Sequence, residues 1–158
     1  MVNNSDYKNN GGKQGYNSGN NKPKQQQAAP RKPYEALQEE TYVTRAEKVI
    51  SNLNNTGVYV TTSQIRNILA MVNQIYNDVI MTTSETLSAE VQSQLRYLKI
   101  KIVYAAGRDP KNVKRFVEES QIADHLDHIG SSRQNFILYA HYMEALVAYH
   151  RFYGGKDA

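Results

Sequence analysis

From residue 34 onward, apolar side chains return every three or four positions, and no convincing alternation of apolar and polar residues competes with that period. It is the period of one face of an α-helix, so residues 34–158 read as an all-α, compact bundle of five to six helices. The first helix is expected over 34–54, with Val43, Ala46, Ile50 and Leu53 on one face and Asn54-Asn55-Thr56-Gly57 as its stop. Val58-Tyr59-Val60 is β-like but too isolated for a sheet. Thr61, Thr62 or Ser63 opens the second helix, since each hydroxyl can accept from a free first-turn N–H. Its stripe is Ile65, Ile68, Leu69, Val72, Ile75, Tyr76 and Val79. Ser88 caps a third helix bearing Val91, Leu95, Leu98, Ile102 and Ala105, which Gly107 closes. Asp109-Pro110 opens a fourth with Val113, Phe116 and Val117 inward. Ile122, Leu126 and Ile129 mark a fifth, ended by Gly130, and Ser131 with Gln134 makes a capping box for the last, which stops at Gly154-Gly155.

Two of these helices are apolar on more than one side. In the third, Tyr97, Ile100, Val103 and Tyr104 oppose the main stripe. The last carries Phe136, Ala140, Met143, Val147 and His150 on one side and Leu138, Tyr142, Ala145, Tyr149 and Phe152 on the other. A helix of this kind is either central in its bundle or packed on another subunit, so self-association or docking into an assembly is expected.

Residues 1–33 differ in kind. They hold seven Asn, four Gln, four Gly and three Pro, with few apolar residues, and are read as a disordered tail preceding the 34–158 domain. The tail carries six Lys and Arg against Asp6, a net +5, whereas the whole chain is +4. The domain is therefore close to neutral, and the basic pI of about 9.2 is mostly a property of the tail.

Composition narrows the chemistry. No apolar run is long enough to span a membrane, and no secretory signal follows Met1. The chain has no cysteine, which removes disulfides, thiol nucleophiles and cysteine-ligated metals and fits a cytoplasmic protein. His125 with His128, and His141 with Glu144, stand three apart on helices, but neither pair has a third ligand at a recognisable spacing. Solvated or hydrogen-bonded helix residues explain them better than a metal-dependent nuclease does. No nucleophile–base pair and no phosphate loop is present, so neither an enzyme nor a cofactor is expected.

The basic residues are more informative. Between Arg96 and Arg115 the chain carries Arg96, Lys99, Lys101, Arg108, Lys111, Lys114 and Arg115 against Asp109 alone, a net +6 on a domain that is otherwise acidic. Arg45, Lys48 and Asn52 lie opposite the apolar stripe of the first helix, and Arg66, Asn73 and Asn77 align on the second. An Arg with amides suits phosphate and sugar hydroxyls rather than base edges, so nucleic-acid backbone contact is expected. The alternative is an acidic protein partner.

Several stretches together resemble a known family. Thr61-Thr62-Ser63-Gln64-Ile65-Arg66-Asn67-Ile68-Leu69, Met71 to Tyr76, Tyr97 to Arg108, and Asn135 to Gly155 are similar, in order, to segments of the small subunit of the type III-A CRISPR effector, the Csm complex. The similarity covers about Tyr42 to Lys156 and leaves the Asn/Gln/Lys tail outside it. The resemblance implies an all-helical, non-catalytic subunit that stacks head to tail in a filament, lies along the guide–target duplex with the other subunits, and helps bind target RNA. Carried onto matching positions, it makes Arg66, Lys99, Lys101 and Arg108 the first candidates for RNA contact. Arg45, Lys48, Lys111 and Arg115 join them on charge alone. The competing reading is a helical protein–protein adaptor with no direct nucleic-acid contact.

Overall fold

Each helix forms where an apolar stripe meets a residue able to satisfy its free end groups. The computed structural model describes residues 31–157, and over these the chain makes α1 (Tyr42–Asn55), α2 (Thr62–Ile80), α3 (Ala89–Arg108), α4 (Val113–Ser120), α5 (Ile122–Ile129) and α6 (Arg133–Phe152). There is no strand among the described residues, only a single bridge between Thr86 and Ser132. The all-α expectation holds.

Thr61 caps α2 with a reciprocal pair of bonds: its hydroxyl accepts from the Gln64 N–H at 3.1 Å, and Gln64 Oε1 accepts from the Thr61 N–H at 2.9 Å. Ser88 accepts from the Val91 N–H at 3.1 Å at the start of α3. The cap of α6 is Ser132 rather than Ser131. The Ser131 carbonyl is occupied by the Leu87 N–H at 2.8 Å, so the helix begins one residue later and the Ser132 hydroxyl takes the Asn135 N–H at 3.2 Å.

Two starts differ more. α1 begins at Tyr42, not near residue 34, because the preceding backbone is bonded sideways to other elements. Gln121 Nε2 donates to the Pro33 carbonyl at 2.9 Å, Gln121 Oε1 accepts from the Glu35 N–H at 3.2 Å, and Arg45 Nη1 donates to the Glu35 carbonyl at 2.6 Å. Val43 is consequently on the outside of α1, and Val49 joins Ala46, Ile50 and Leu53 in the core. Likewise α4 begins at Val113, and Pro110 lies in the turn before it. Asp109 caps that turn by accepting from the Asn112 N–H at 3.0 Å, which holds its carboxyl below the ordinary carboxylate range. The tail expectation falls on residues 1–30, outside the described residues. Arg31, Lys32 and Pro33 are described, and Lys32 pairs with Glu119.

α6 is the centre of the bundle, packed against α1, α2 and α5. Phe136, Tyr139, Tyr142, Met143 and Leu146 are completely buried on it, which accounts for its two-sided apolar pattern. Tyr139 and Tyr142 keep their hydroxyls satisfied by donating to the Ile122 carbonyl at 3.0 Å and the Ser120 carbonyl at 2.9 Å. α3 is different. Leu95, Leu98, Ile102 and Ala106 face the core, while Tyr97, Ile100, Val103 and Tyr104 are 58%, 62%, 53% and 64% exposed. Its second apolar side faces outward. No described helix is long and apolar enough to cross a membrane.

Candidate nucleic-acid interface

Seven of the eight candidate basic residues separate into three groups by what already holds them, and Arg66 stands apart. Arg45 is half-buried and committed to the protein itself. Besides Glu35, its guanidinium donates to Gln121 Oε1 at 2.7 Å and to the Ala36 carbonyl at 3.4 Å, and it lies 5.8 Å from the Tyr142 ring centroid. With those of Gln121, these bonds fasten residues 33–36 to the α4–α5 junction and leave Arg45 little capacity for a ligand. Lys99 is also engaged: it projects toward α5 and pairs with Asp127.

The second group lies on the outer face of α3. Lys101 sits 5.0 Å from the Tyr97 ring centroid and Arg108 lies 5.9 Å from that of Tyr104, each four residues along the helix. Both cations are exposed and share their face with Ile100 and Val103. This is a mixed apolar and cationic surface rather than a purely cationic one.

The third group is Lys48 on α1 with Lys111 and Arg115 at the start of α4. All three are exposed, and α1 and α4 pack against each other. Among the described residues the ion pairs are Lys32–Glu119, Lys99–Asp127 and Lys114–Glu118, so no carboxylate neutralises Lys48, Lys111 or Arg115. The turn that carries Lys111 is rigidly placed. Gln64 Nε2 donates to Asp109 Oδ2 at 3.3 Å, and Asn112 Oδ1 accepts from the Tyr59 N–H at 3.1 Å. The α1–α2 loop, the first turn of α2 and the α3–α4 turn are thereby tied together, with the Tyr59 side chain exposed beside them. The sequence shows Asp109 only as a helix cap; its bond to Gln64 and that of Asn112 to Tyr59 depend on tertiary placement, which spacing does not reveal. Arg66 is exposed too, but two residues on a helix turn about 200°, so it points to the flank opposite Gln64.

Three of the four histidines are hydrogen-bonded within the fold. The Tyr34 ring stacks on His128 at 3.7 Å between centroids, and the Tyr34 hydroxyl meets His125 Nδ1 at 3.2 Å. Burial first, then the charges of Arg45 and His128, push His125 down to about 3, so it is neutral at ordinary pH. His150 Nε2–H donates to the Val60 carbonyl at 2.7 Å. No group of three metal-ligating side chains occurs among the described residues.

Comparison with known proteins identifies the family. The family model described as Csm2 Type III-A matches residues 36–156. A relative from Streptococcus thermophilus, named CRISPR system Cms protein Csm2, is 41% identical over 124 residues, covering 77% of this chain and 98% of the relative. A protein of the same name from Mycobacterium tuberculosis H37Rv is 33% identical over 121 residues, covering 75% and 96%. One from Enterococcus italicus is 38% identical over 99 residues, covering 61% and 70%. This six-helix chain, matched by the family model over residues 36–156 and 41% identical to a relative covered over 98% of its length, belongs to the Csm2 family of type III-A CRISPR effector subunits.

Proposed function

We propose that this chain is a non-catalytic, RNA-binding structural subunit of an RNA-guided interference complex. Its copies stack head to tail along the guide–target duplex in the cytoplasm and help hold target RNA. The observation that carries the RNA contact is the group Lys48 on α1, Lys111 in the turn before α4 and Arg115 on α4: three exposed cations, none with a carboxylate partner among the described residues. Cations left unneutralised in this way favour a polyanion, because they release the counterions condensed on its phosphates. Arg66, with Asn73 and Asn77 on its flank, supplies a separate contact of the same chemistry. A non-catalytic role is supported by His125, His128 and His150, each of which spends one ring nitrogen on a hydrogen bond within the fold.

Reconstituting the effector complex with Lys48→Glu, Lys111→Glu and Arg115→Glu together tests this reading. Target-RNA affinity is expected to fall at least tenfold with the complex still assembled. The adaptor reading draws its support from the apolar outer face of α3. It would replace this one if the triple variant bound target RNA normally.

A further inference from the structure

The outer face of α3 remains without a role: Tyr97, Ile100, Val103 and Tyr104 stand out into solvent beside Lys101 and Arg108. Four large apolar side chains exposed on one helix face mark an interaction surface. Its chemistry narrows the occupant. Ile100 and Val103 neither hydrogen-bond nor stack, so a phosphate backbone would leave them in water. A symmetric pairing of the face with itself would set Lys101 and Arg108 of one copy against those of the other, and like charges repel. The chain's own first 33 residues carry six cations against one carboxylate, so they match it no better.

A complementary surface exists at the other end of the same hairpin. From Asn67 to Leu95 the chain has no Lys or Arg and three carboxylates, Asp78, Glu85 and Glu90, all exposed. Between them Ile80 is 45% and Met81 84% exposed. Arg133 and Glu39 line one cleft at this end as well. α2 and α3 run antiparallel, since Gln64 at the start of α2 bonds Asp109 just past the end of α3. The acidic end and Arg108 are therefore separated by most of α3, about 27 Å from Glu90 to Arg108 at 1.5 Å per residue.

We infer that the acidic, apolar α2–α3 end of one copy docks on the aromatic, basic outer face of α3 in the next copy. The contact is heterologous, and separating its two halves along the hairpin makes it propagate rather than close. Met81 and Ile80 meet the tyrosines and Ile100, and Asp78, Glu85 and Glu90 meet Lys101 and Arg108. This rests on the stacking reading above and names the surfaces that perform it.

The absence of any native cysteine makes the test direct. The full chain carrying Met81→Cys and Tyr104→Cys together is expected to give a disulfide-linked ladder of dimers, trimers and longer species under mild oxidation. A mixture of the two single variants is expected to give one mixed dimer only. Adding Lys101→Glu and Arg108→Glu removes the ladder. In a mixture, Asp78→Lys and Glu90→Lys on the Met81→Cys chain restore the mixed dimer with that charge-reversed face. Dimers from Tyr104→Cys alone would show like faces meeting and overturn the inference, as would no cross-link at all. Sedimentation of the unmodified chain then separates the two failures. Larger species would mean that copies stack through other surfaces, whereas a monomer at every concentration would remove the stacking reading as well.

Discussion

Arg45 and Gln121 hold each other across the bundle, with Arg45 Nη2 donating to Gln121 Oε1 at 2.7 Å. Gln121 occupies the one left-handed backbone position of a non-glycine residue in the described chain, φ 58°, between α4 and α5. Its amide also bonds Pro33 and Glu35, so a single side chain joins α1, the α4–α5 junction and the segment leading into α1. Gln121→Ala leaves Arg45 and two backbone groups short of partners and is expected to cost about 1–3 kcal/mol in chemical denaturation. Gln121→Gly loses the same bonds but relaxes the left-handed backbone, so its cost is expected to be smaller than that of the Ala variant by about 1 kcal/mol.

His125 gives the fold an acid-sensitive component. Its folded pKa of about 3 lies below the ordinary 6.5, so between these values the unfolded chain binds the extra proton. The contribution is present in full above about pH 6.5 and is lost as pH falls toward 3, at up to about 1.4 kcal/mol per pH unit. The groups facing His125 are Tyr34, Arg45, His128, Tyr142 and the Ser120 backbone; only Ser120 favours the protonated ring, and it is outweighed by burial and the charge of Arg45. Urea unfolding from pH 7 to pH 4 is expected to show a shallower pH dependence for His125→Gln than for the unaltered chain.

Gly155 is required by its neighbour. A Cβ there would overlap the His150 ring at Cε1 and Nδ1 and come within 2.7 Å of the His150 carbonyl oxygen. The ring cannot swing away without losing its bond to the Val60 carbonyl. Gly155→Ala is expected to lower stability by about 1–3 kcal/mol, measured by thermal or chemical unfolding.

Gly107 behaves oppositely. It lies inside α3, and a Cβ added there meets nothing within 4 Å. Gly107→Ala is expected to stabilise the isolated chain by about 0.5–1 kcal/mol through helix propensity, read as a higher melting temperature.

Local signals made most of the helices legible: the apolar stripes of α2 and α5, the hydroxyl caps Thr61 and Ser88, and the stop at Gly130 all lie where the sequence puts them. What failed depended on groups distant in sequence. Tyr34 to Gln38 have no helix-breaking residue, yet Gln121, 86 positions away, holds the Glu35 N–H, and Arg45 holds the Glu35 and Ala36 carbonyls. The two-sided patterns of α3 and α6 look alike in sequence, and only tertiary packing separates a central helix from one with an open face. The basic cluster shows the same limit. Composition could count cations, but only the fold separates Lys99, paired with Asp127, and Arg45, clasped by Gln121, from Lys48, Lys111 and Arg115.

The central claim is that Lys48, Lys111 and Arg115 contact phosphates, and the salt dependence of target-RNA binding tests it most directly. Each phosphate contact to single-stranded RNA contributes about 0.7 to the slope of log affinity against log salt. With all three residues replaced by Ala in the assembled complex, the slope is expected to fall by about 2 relative to the unaltered complex. An unchanged slope and affinity, with the complex intact, would contradict the account.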